Sequence, residues 1–464
     1  RASVAALALL IVLPGNVFEV ELAPANPDRG LGASYAFPAW RVAESIRSPD
    51  SDLVMWTEAL TWMRHNTPDA GVDLGRVVEA PAPGEAYAQA PESYGVLSWW
   101  DYGHWTEVVA RRAPVANPFQ QAAPFASCWF TERDPARAEA MLAEWSARRY
   151  ARTTDVRCDD VVLPPAPEPS PDAENPIRYV VIDDAMAAGK FGAITVWAGC
   201  DVCIPYNRSG GDQRFANRDQ YNHAVFQFWR TYREADTGID RSLPWSGEAY
   251  RDTMLSRLYF DDGDGLDRYR LVHELPYGRR IGWVAGLGDD GLYSHNQNDF
   301  LSNAQGACPP GVRAGDCWAA EDWTHTGAFA FRTGDERLLY ESQVVSTVKT
   351  YEHVVGAVVE GTGAPPGAAV HATIRLRSDT TLREFEWTAT AVADAQGAFR
   401  LRVPYATTGH LSPAEGGTNL TVRAVGPLHL FVGASASPSH GADVDVPDAA
   451  VLQGQRVGTV LLGL

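Results

Sequence analysis

Residues 94–103 read YGVLSWWDYG and decide how the chain folds around its most distinctive chemical groups. The apolar run Tyr94–Leu97 predicts a short strand, and the following segment predicts a helix from about Ser98 to Arg112, before Pro114. Two adjacent indoles and one carboxylate therefore stand at a strand-to-helix junction. Their N–H donors, flat walls and charged acceptor form a site that can bind a hydroxyl group.

The same residues also fit a purely structural role. Ser98 and Asp101 have the S-x-x-D spacing of a capping box, whose side chains satisfy backbone groups at the start of a helix. Trp99 and Trp100 would then only fill the core. The spacing alone favours this second interpretation.

A second element follows a buried strand predicted at 178–182. If a helix starts at Asp183, a rotation of about 100° per residue places Met186, Lys190 and Ile194 on the same face as Asp183. This face could border a pocket. Alternatively, Met186 and Ile194 could fill the core of an amphipathic helix while Lys190 pairs with an aspartate.

The composition indicates a folded, acidic chain of several domains. Its 464 residues include 39 Lys and Arg against 58 Asp and Glu, which gives a net charge of −19. This sign is wrong for a surface that neutralises phosphates, so nucleic acid is not an expected partner. The only lysines are Lys190 and Lys349, which makes Lys190 conspicuous.

The cysteine pattern favours disulfides in an oxidising compartment over a zinc site. The six cysteines stand in loop-like settings at 128, 158, 200, 203, 308 and 317. A four-cysteine zinc site normally has two short pairs, and only Cys200 and Cys203 are this close. Cys308 and Cys317 are predicted to bridge one loop.

The chain is predicted to be an α+β protein of several domains. Residues 1–18 predict the end of a transmembrane helix, although their apolar run could also be a signal-peptide core or a buried helix. Residues 19–50 predict an extended linker, and residues 51–274 a mainly α-helical central core domain with the WWDYG motif. An irregular, β-rich insertion is predicted at 275–345, and an antiparallel β-sandwich at 346–464.

Individual elements follow from hydrophobic periodicity. Further helices are predicted at 55–64, 135–150, 218–234 and 247–259. The C-terminal part predicts short strands separated by turn residues, at 353–359, 368–377, 383–392, 398–403, 418–424 and 428–432.

The motif Trp99–Gly103, WWDYG, resembles the hallmark of the catalytic subunit of oligosaccharyltransferases, the enzymes of N-linked protein glycosylation. The similarity continues to Gln120, where His104-Trp105 and Asn117–Gln120 look like the archaeal branch. The stretch Asp183–Ile194 resembles the archaeal form of the family's second signature. The resemblance covers residues 50–275 well and residues 346–464 loosely.

This resemblance implies which side chains bind the acceptor. The expected residues of the pocket for the Ser or Thr of an Asn-X-Ser/Thr sequon are Trp99, Trp100, Asp101, Met186, Lys190 and Ile194, with Tyr102, Gly103 and Asp183 in support. A threonine methyl that touches Met186 or Ile194 would add about 0.8 kcal/mol, roughly fourfold. Threonine is therefore expected to be preferred modestly over serine.

The resemblance also implies partners for the whole protein. In the family, an oligosaccharide moves from a dolichyl phosphate or diphosphate carrier to the sequon asparagine. A membrane portion absent from this chain binds that donor and carries the acidic residues that hold Mn²⁺ or Mg²⁺. No catalytic residue and no metal ligand is therefore expected in this chain, which should transfer nothing alone. The globular part is expected on the extracellular face of the cell membrane.

Two other classes of protein fit the composition. One is a secreted cell-surface or carbohydrate-binding protein without enzymatic activity, because the chain is acidic, rich in Trp and supplied with cysteines. It would bind glycans rather than Asn-X-Thr peptides. The other is a glycosidase, although nothing in the sequence marks a particular pair of carboxylates.

Overall fold

The computed structural model describes residues 52–73, 82, 92–147, 176–198, 230–233, 240–243, 248–276, 278–285, 291–294, 300–301, 317–318, 327–330, 339–433 and 441–461. Its helices are α1 (Asp52–Asn66), α2 (a 3₁₀ turn Trp100–Tyr102, an α turn Gly103–Trp105 and a π turn Thr106–Ala110), α3 (Ala123–Thr131), α4 (Pro135–Ala147), α5 (a π turn Ala185–Gly189 followed by Phe191–Ala198), α6 (Glu248–Arg251), α7 (Met254–Tyr259) and α8 (Asp448–Gln453).

The strands, in chain order, are β1 (Gly95–Leu97), β2 (Ala113–Pro114), β3 (Ile177–Asp183), β4 (Arg230–Arg233), β5 (Asp240–Leu243), β6 (Tyr269–Glu274), β7 (Gly278–Ala285), β8 (Gly291–Ser294), β9 (Phe300–Leu301), β10 (Cys317–Trp318), β11 (Gly327–Ala330), β12 (Leu339–Ser346), β13 (Val348–His353), β14 (Ala357–Thr362), β15 (Ala369–Ser378), β16 (Glu384–Val392), β17 (Phe399–Val403), β18 (Val422–Ala424), β19 (Leu428–Val432), β20 (Gly441–Val444) and β21 (Arg456–Leu461).

A five-stranded mixed sheet forms the centre of the core, with the strand order β2-β1-β3-β13-β6. Strand β3 is buried at every position except Arg178, as expected for a strand covered on both faces. Strand β1 runs parallel to β2 and β3, while β13 runs antiparallel to β3 and β6. The prediction of a mainly α-helical core was therefore wrong in one respect, because a sheet organises it.

The helices of the core bury the faces that the sequence predicted. Helix α1 buries an apolar stripe at helical spacing, made of Met55, Trp56, Ala59, Leu60 and Met63. Pro135 begins α4, where its missing N–H costs nothing. The helix predicted at 247–259 forms as α6 and α7, because Thr253 interrupts it and its hydroxyl caps α7 by accepting from the Ser256 N–H at 3.2 Å.

The C-terminal strands form two sheets, one with the order β17-β14-β21 and one with the order β16-β15-β19-β20, in which β18 also pairs with β15. Strands β14 and β21 are parallel, so the purely antiparallel arrangement predicted at 346–464 was wrong for this pair. Strand β13 lies in the core sheet, although the predicted boundary at 346 had assigned it to the C-terminal domain. Its pairing with β3 joins the two parts of the chain.

Between these parts, β7, β8, β11 and β12 form an antiparallel sheet with the order β11-β12-β7-β8. The helix predicted at 218–234 was wrong at its end, because 230–233 forms a strand paired with β5. The segments predicted as a transmembrane helix (1–18) and linker (19–50) lie outside the described residues. In the part of the chain that the structure describes, no helix is long and apolar enough to cross a bilayer.

A buried ionic network connects the core sheet to the C-terminal part. Arg270 on β6 contacts Glu352 on β13 at 2.8 Å and Asp448 on α8 at 2.6 Å. Although burial opposes the charged form, Arg270 and Arg178 lower the pKa of Glu352 to about 2. Since a buried charge without a partner is costly, these contacts fix the orientation of α8 against β6.

We expect the stability of the protein to depend on pH through His273, which stacks on the Trp62 ring with 4.1 Å between centroids. Burial lowers the pKa of His273 from 6.5 to about 3, so the unfolded chain binds a proton that the folded chain rejects. This contribution to stability is complete above pH 6.5 and is lost as the pH falls below that value. Replacing His273 by Phe should flatten the pH dependence of the unfolding free energy between pH 6.5 and 4.5, by up to about 1.4 kcal/mol per pH unit.

Chemical denaturation of the whole natural protein at several pH values measures this slope. The matched control is His65→Asn, since His65 is exposed on α1 and its replacement should leave the slope unchanged. An identical slope for His273→Phe and the parent protein would contradict the expected role of His273.

Candidate functional site

The two predicted motifs meet because they leave the carboxyl ends of adjacent parallel strands. Strand β1 ends at Leu97, directly before the two tryptophans, and β3 ends at Asp183. Their pairing places Leu97 opposite Val180, so both chains emerge at the same edge of the sheet. Ligand sites of open α/β sheets commonly form at this edge. The sheet therefore brings together residues more than 80 positions apart in sequence.

Helix α2 starts without a capping box. Its N-cap residue is Trp99, and Ser98 donates instead to the Trp99 carbonyl, at 3.4 Å. The capping interpretation of the S-x-x-D spacing was therefore wrong. Gly103 instead has a packing role, because a Cβ at this position would lie 2.3 Å from the Ala116 carbonyl oxygen and 2.6 Å from the Asn117 Cα. Only glycine lets the helix approach the 116–117 backbone this closely.

The two indoles occupy different environments. Trp99 is 1% exposed and belongs to the hydrophobic core, whereas Trp100 is half-buried at its edge. Their ring centroids lie 5.8 Å apart with tilted planes. The Nε1 of Trp100 is buried and has no hydrogen-bond partner among the described residues. An unsatisfied buried donor is costly, so this N–H lacks the partner that a buried indole normally has.

A chain of polar contacts links the motifs. Lys190 Nζ lies 3.0 Å from Asp101 Oδ2 and donates to the Tyr102 hydroxyl at 2.8 Å. Tyr102 in turn donates to Asp183 Oδ2, at 2.6 Å. Lys190 and Asp101 are each about one-third exposed, with side-chain exposures of 29% and 31%. This pair is the part of the site that solvent and ligands can reach.

Trp56 also belongs to this site, although no sequence motif indicated a functional role for it. Its indole N–H donates to Asp183 Oδ2 at 2.8 Å, and its ring stacks on Tyr102 with 3.8 Å between centroids. In the sequence, Trp56 is one of several apolar residues on a helical stripe. Only its adjacency to the WWDYG helix in the fold distinguishes it from a core residue.

Asp183 acts as a buried anchor beneath the exposed pair. Burial raises the pKa of its carboxyl group, while hydrogen bonds from Tyr102, Trp56 and the Met186 backbone N–H favour the charged form. These contacts hold Tyr102 in place, and through it the Lys190 ammonium. Asp183 therefore has a positioning role beneath the groups that a ligand can touch.

The second motif is not the regular helix that the 100° rotation assumed. Asp183 is the last residue of β3, and the helix begins with a π turn in which the Lys190 N–H donates to the Ala185 carbonyl at 2.6 Å. Single π turns often occur at functional sites. Met186 and Ile194 are both 0% exposed. Both side chains are therefore closed to solvent in this conformation, and the predicted preference for threonine stays a prediction.

Metal and disulfide predictions concern other parts of the molecule. Among the described ranges, no group of three or more His, Cys, Asp or Glu side chains could hold a metal ion. Cys128 is disulfide-bonded, as the cysteine pattern favoured. Cys308 lies outside the described residues, so its predicted bridge to Cys317 stays a prediction.

Two family models match the chain that carries this site. Residues 53–157 match the AglB core domain, and residues 356–457 match the archaeal glycosylation protein B long peripheral domain. The first match contains the WWDYG motif. The chain is therefore a relative of the archaeal oligosaccharyltransferases, and the family predicted from WWDYG is confirmed.

Two curated relatives belong to the predicted enzyme class. The dolichyl-monophosphooligosaccharide–protein glycotransferase AglB of Haloferax volcanii is 26% identical over 468 residues, which cover 89% of this chain and 40% of that protein. The dolichyl-phosphooligosaccharide–protein glycotransferase 3 of Archaeoglobus fulgidus is 28% identical over 395 residues, covering 82% of this chain and 40% of that protein. The chain thus spans about two-fifths of the length of these relatives.

Solved structures show the same fold. The crystal structure of the Archaeoglobus fulgidus oligosaccharyltransferase with zinc and sulfate has a TM-score of 0.53 at 21% identity, and the match covers 91% of this chain and 50% of that chain. A structure of AglB from the same organism, in complex with an inhibitory peptide and a dolichol-phosphate, has the same TM-score and identity and covers 94% and 48%. The mixed α/β architecture with several sheets is shared with them.

Proposed function

We propose that the whole natural protein is an oligosaccharyltransferase, and that the portion described here binds the Ser or Thr hydroxyl of an acceptor Asn-X-Ser/Thr. The glycotransferase names of the relatives support this activity. The observation that carries the proposal is the meeting of Trp100, Asp101 and Lys190 at the edge of the core sheet. This arrangement offers an unpaired N–H donor and an accessible carboxylate within one helical turn.

A hydroxyl group suits this arrangement because it can donate and accept at the same time. Lys190 pairs with Asp101 Oδ2, while Asp101 Oδ1 has no hydrogen bond or ion pair with a described residue. The acceptor hydroxyl would donate to Oδ1 and accept from the Trp100 Nε1–H. Tyr102 and Asp183 hold Lys190, which in turn orients the Asp101 carboxylate. The site thus selects its ligand by hydrogen bonding rather than by shape alone.

The chemical step is assigned to the rest of the protein. The resemblance implies that the groups that bind the dolichyl-linked donor, hold Mn²⁺ or Mg²⁺ and activate the asparagine amide belong to the membrane portion of the family's enzymes. Here the chain positions the acceptor by its third residue, so that its asparagine is presented in one geometry. We further propose that the protein is membrane-anchored, with this portion on the extracellular face. The disulfide bond of Cys128 supports this location, because disulfides persist in oxidising environments.

Replacing Asp101 by Ala in the whole natural protein should lower kcat/KM for an Asn-X-Thr peptide by about 10- to 150-fold, the range for a hydrogen bond to a charged group. Asp101→Asn keeps the shape and one oxygen, so its loss should be smaller. Glycopeptide formation from the natural lipid-linked donor measures both variants.

The matched control is Glu107→Ala, because Glu107 lies on the same helix and makes no ion pair with a described residue. This variant should retain the parent rate. The proposal fails if Asp101→Ala and Glu107→Ala transfer glycan equally well.

A further inference from the structure

One large apolar side chain stands in solvent beside the hydroxyl site. Phe119 is 78% exposed, the largest exposed fraction among the large apolar residues of the described chain. An aromatic ring left in water forgoes the stabilisation that burial would give, and such exposed apolar groups commonly mark contact surfaces. Phe119 has no structural role that would explain its position.

The loop that carries Phe119 is held rigidly. Asn117 accepts from the Phe119 N–H through Oδ1 at 3.0 Å and from the Gln120 N–H through its carbonyl at 2.8 Å. Its side-chain amide donates to Gln121 at 2.9 Å. Gln120 and Ala122 adopt left-handed backbone angles, with φ of 62° and 55°, which non-glycine residues rarely adopt. The loop therefore presents Phe119 in a defined direction.

This loop is continuous with the hydroxyl site. His104 follows the WWDYG motif on α2, and its ring meets Phe119 edge-on with 5.3 Å between centroids. Residues three positions apart on a helix are neighbours, with about 5–6 Å between Cβ atoms, so the His104 ring and the Phe119 ring that it contacts lie within about 15 Å of Asp101. The close approach of Gly103 to Ala116 fixes the helix and the loop against one another.

We propose that Phe119, supported by the His104 ring, determines specificity for the acceptor polypeptide. These two rings form a platform that contacts an apolar or aromatic side chain of the acceptor next to the sequon. An extended chain covers about 10 Å in three residues, and a Phe side chain of the peptide extends beyond its backbone, so the platform can contact a residue up to about three positions from the Ser or Thr. This inference rests on the proposed function, because the hydroxyl site must first hold the sequon.

The nature of the ligand follows from the arrangement. The His104 ring contacts Phe119, and Asp101, which pairs with Lys190, stands three positions before His104 on α2. A polypeptide supplies both a hydroxyl for the pair and a flat side chain for the ring at this distance. A ligand with an apolar group alone would leave the polar pair unused.

The test uses pairs of acceptor peptides that share Asn-X-Thr. Within a pair, a single position carries either Phe or Ala. The varied positions are those within three residues of Thr, apart from the Asn itself. In the parent protein we expect one position to favour Phe by roughly 2- to 10-fold in kcat/KM, the size of an aromatic pair contact. Phe119→Ala should abolish this preference, whereas Phe119→Tyr should retain it. The Val392→Ala control removes another exposed apolar side chain, 69% exposed on β16, and should change nothing.

The outcomes separate this inference from the proposed function. If the parent protein transfers glycan equally to Thr and Ala peptides, the hydroxyl site itself is wrong. If it discriminates between them but shows no flanking preference, the platform is wrong. A Phe119→Ala variant that loses the same factor with every peptide would also overturn the platform and would point to a contact with another part of the protein. Because Phe119 is exposed, its replacement should leave the unfolding midpoint unchanged.

Discussion

An acceptor peptide with alanine in place of threonine is expected to be transferred up to about 10⁴-fold less efficiently than its Asn-X-Thr parent. The reason lies in the groups that remain unpaired. Without the hydroxyl, the Trp100 N–H, which is already buried, stays unpaired, and the partly exposed Asp101 carboxylate loses water without gaining a partner when the peptide covers it. The measurement is kcat/KM for the two peptides with the whole natural protein.

Peptides with 2-aminobutyrate or valine at the third position separate the hydroxyl from the size of the side chain. These residues are close in shape to serine and threonine but carry no hydroxyl. Both should behave like alanine. In Asp101→Ala the ratio between Thr and Val peptides should collapse, because the group that reads the hydroxyl is gone. Efficient transfer to the valine peptide would show that the site reads shape instead.

Replacing Arg270 by Met should produce the largest loss of stability, about 3–5 kcal/mol. Arg270 is 1% exposed and is shared between Glu352 and Asp448, neither of which is accessible to water. The variant leaves Asp448 buried without its cation and leaves Glu352 with Arg178 alone. Chemical denaturation of the whole natural protein, followed by tryptophan fluorescence, measures the change in midpoint.

A surface ion pair provides the comparison. Arg137 contacts Glu132 at 3.1 Å, but the Arg137 side chain is 44% exposed, so Arg137→Met should cost less than about 1 kcal/mol. If the two substitutions destabilise the protein equally, the buried network does not hold α8 to the core sheet. The loss of unfolding free energy in both variants would then reflect the change of side chain and not the loss of a buried ion pair.

The elements with strong local periodicity could be predicted from sequence. The stripe of α1, the buried run of β3 and the Pro135 start of α4 each depend on neighbours a few positions away. The pairing of β13 with β3 could not be predicted in this way. It joins Glu352 to Tyr179 across the whole core, and no local pattern specifies such a distant partner.

Several residues of the candidate site could be predicted from the sequence, but the contacts that arrange them could not. The WWDYG pattern indicated Asp101, and the second signature indicated Lys190, which the structure brings to 3.0 Å from each other. Trp56 was missed because its role depends on a tertiary contact rather than on spacing. Met186 and Ile194 are buried with Asp183, whereas Lys190 is partly exposed, so their place in the pocket stays a prediction.

The scarcity of lysine noted at the outset makes the chain suited to amine-directed labelling. Lys349 is 1% exposed and pairs with Asp262, whereas the Lys190 side chain is 29% exposed. An acylating reagent applied to this chain therefore meets one accessible lysine ε-amine, and that amine lies in the proposed acceptor site. Protection of Lys190 from acylation would report peptide occupancy directly, without an engineered probe.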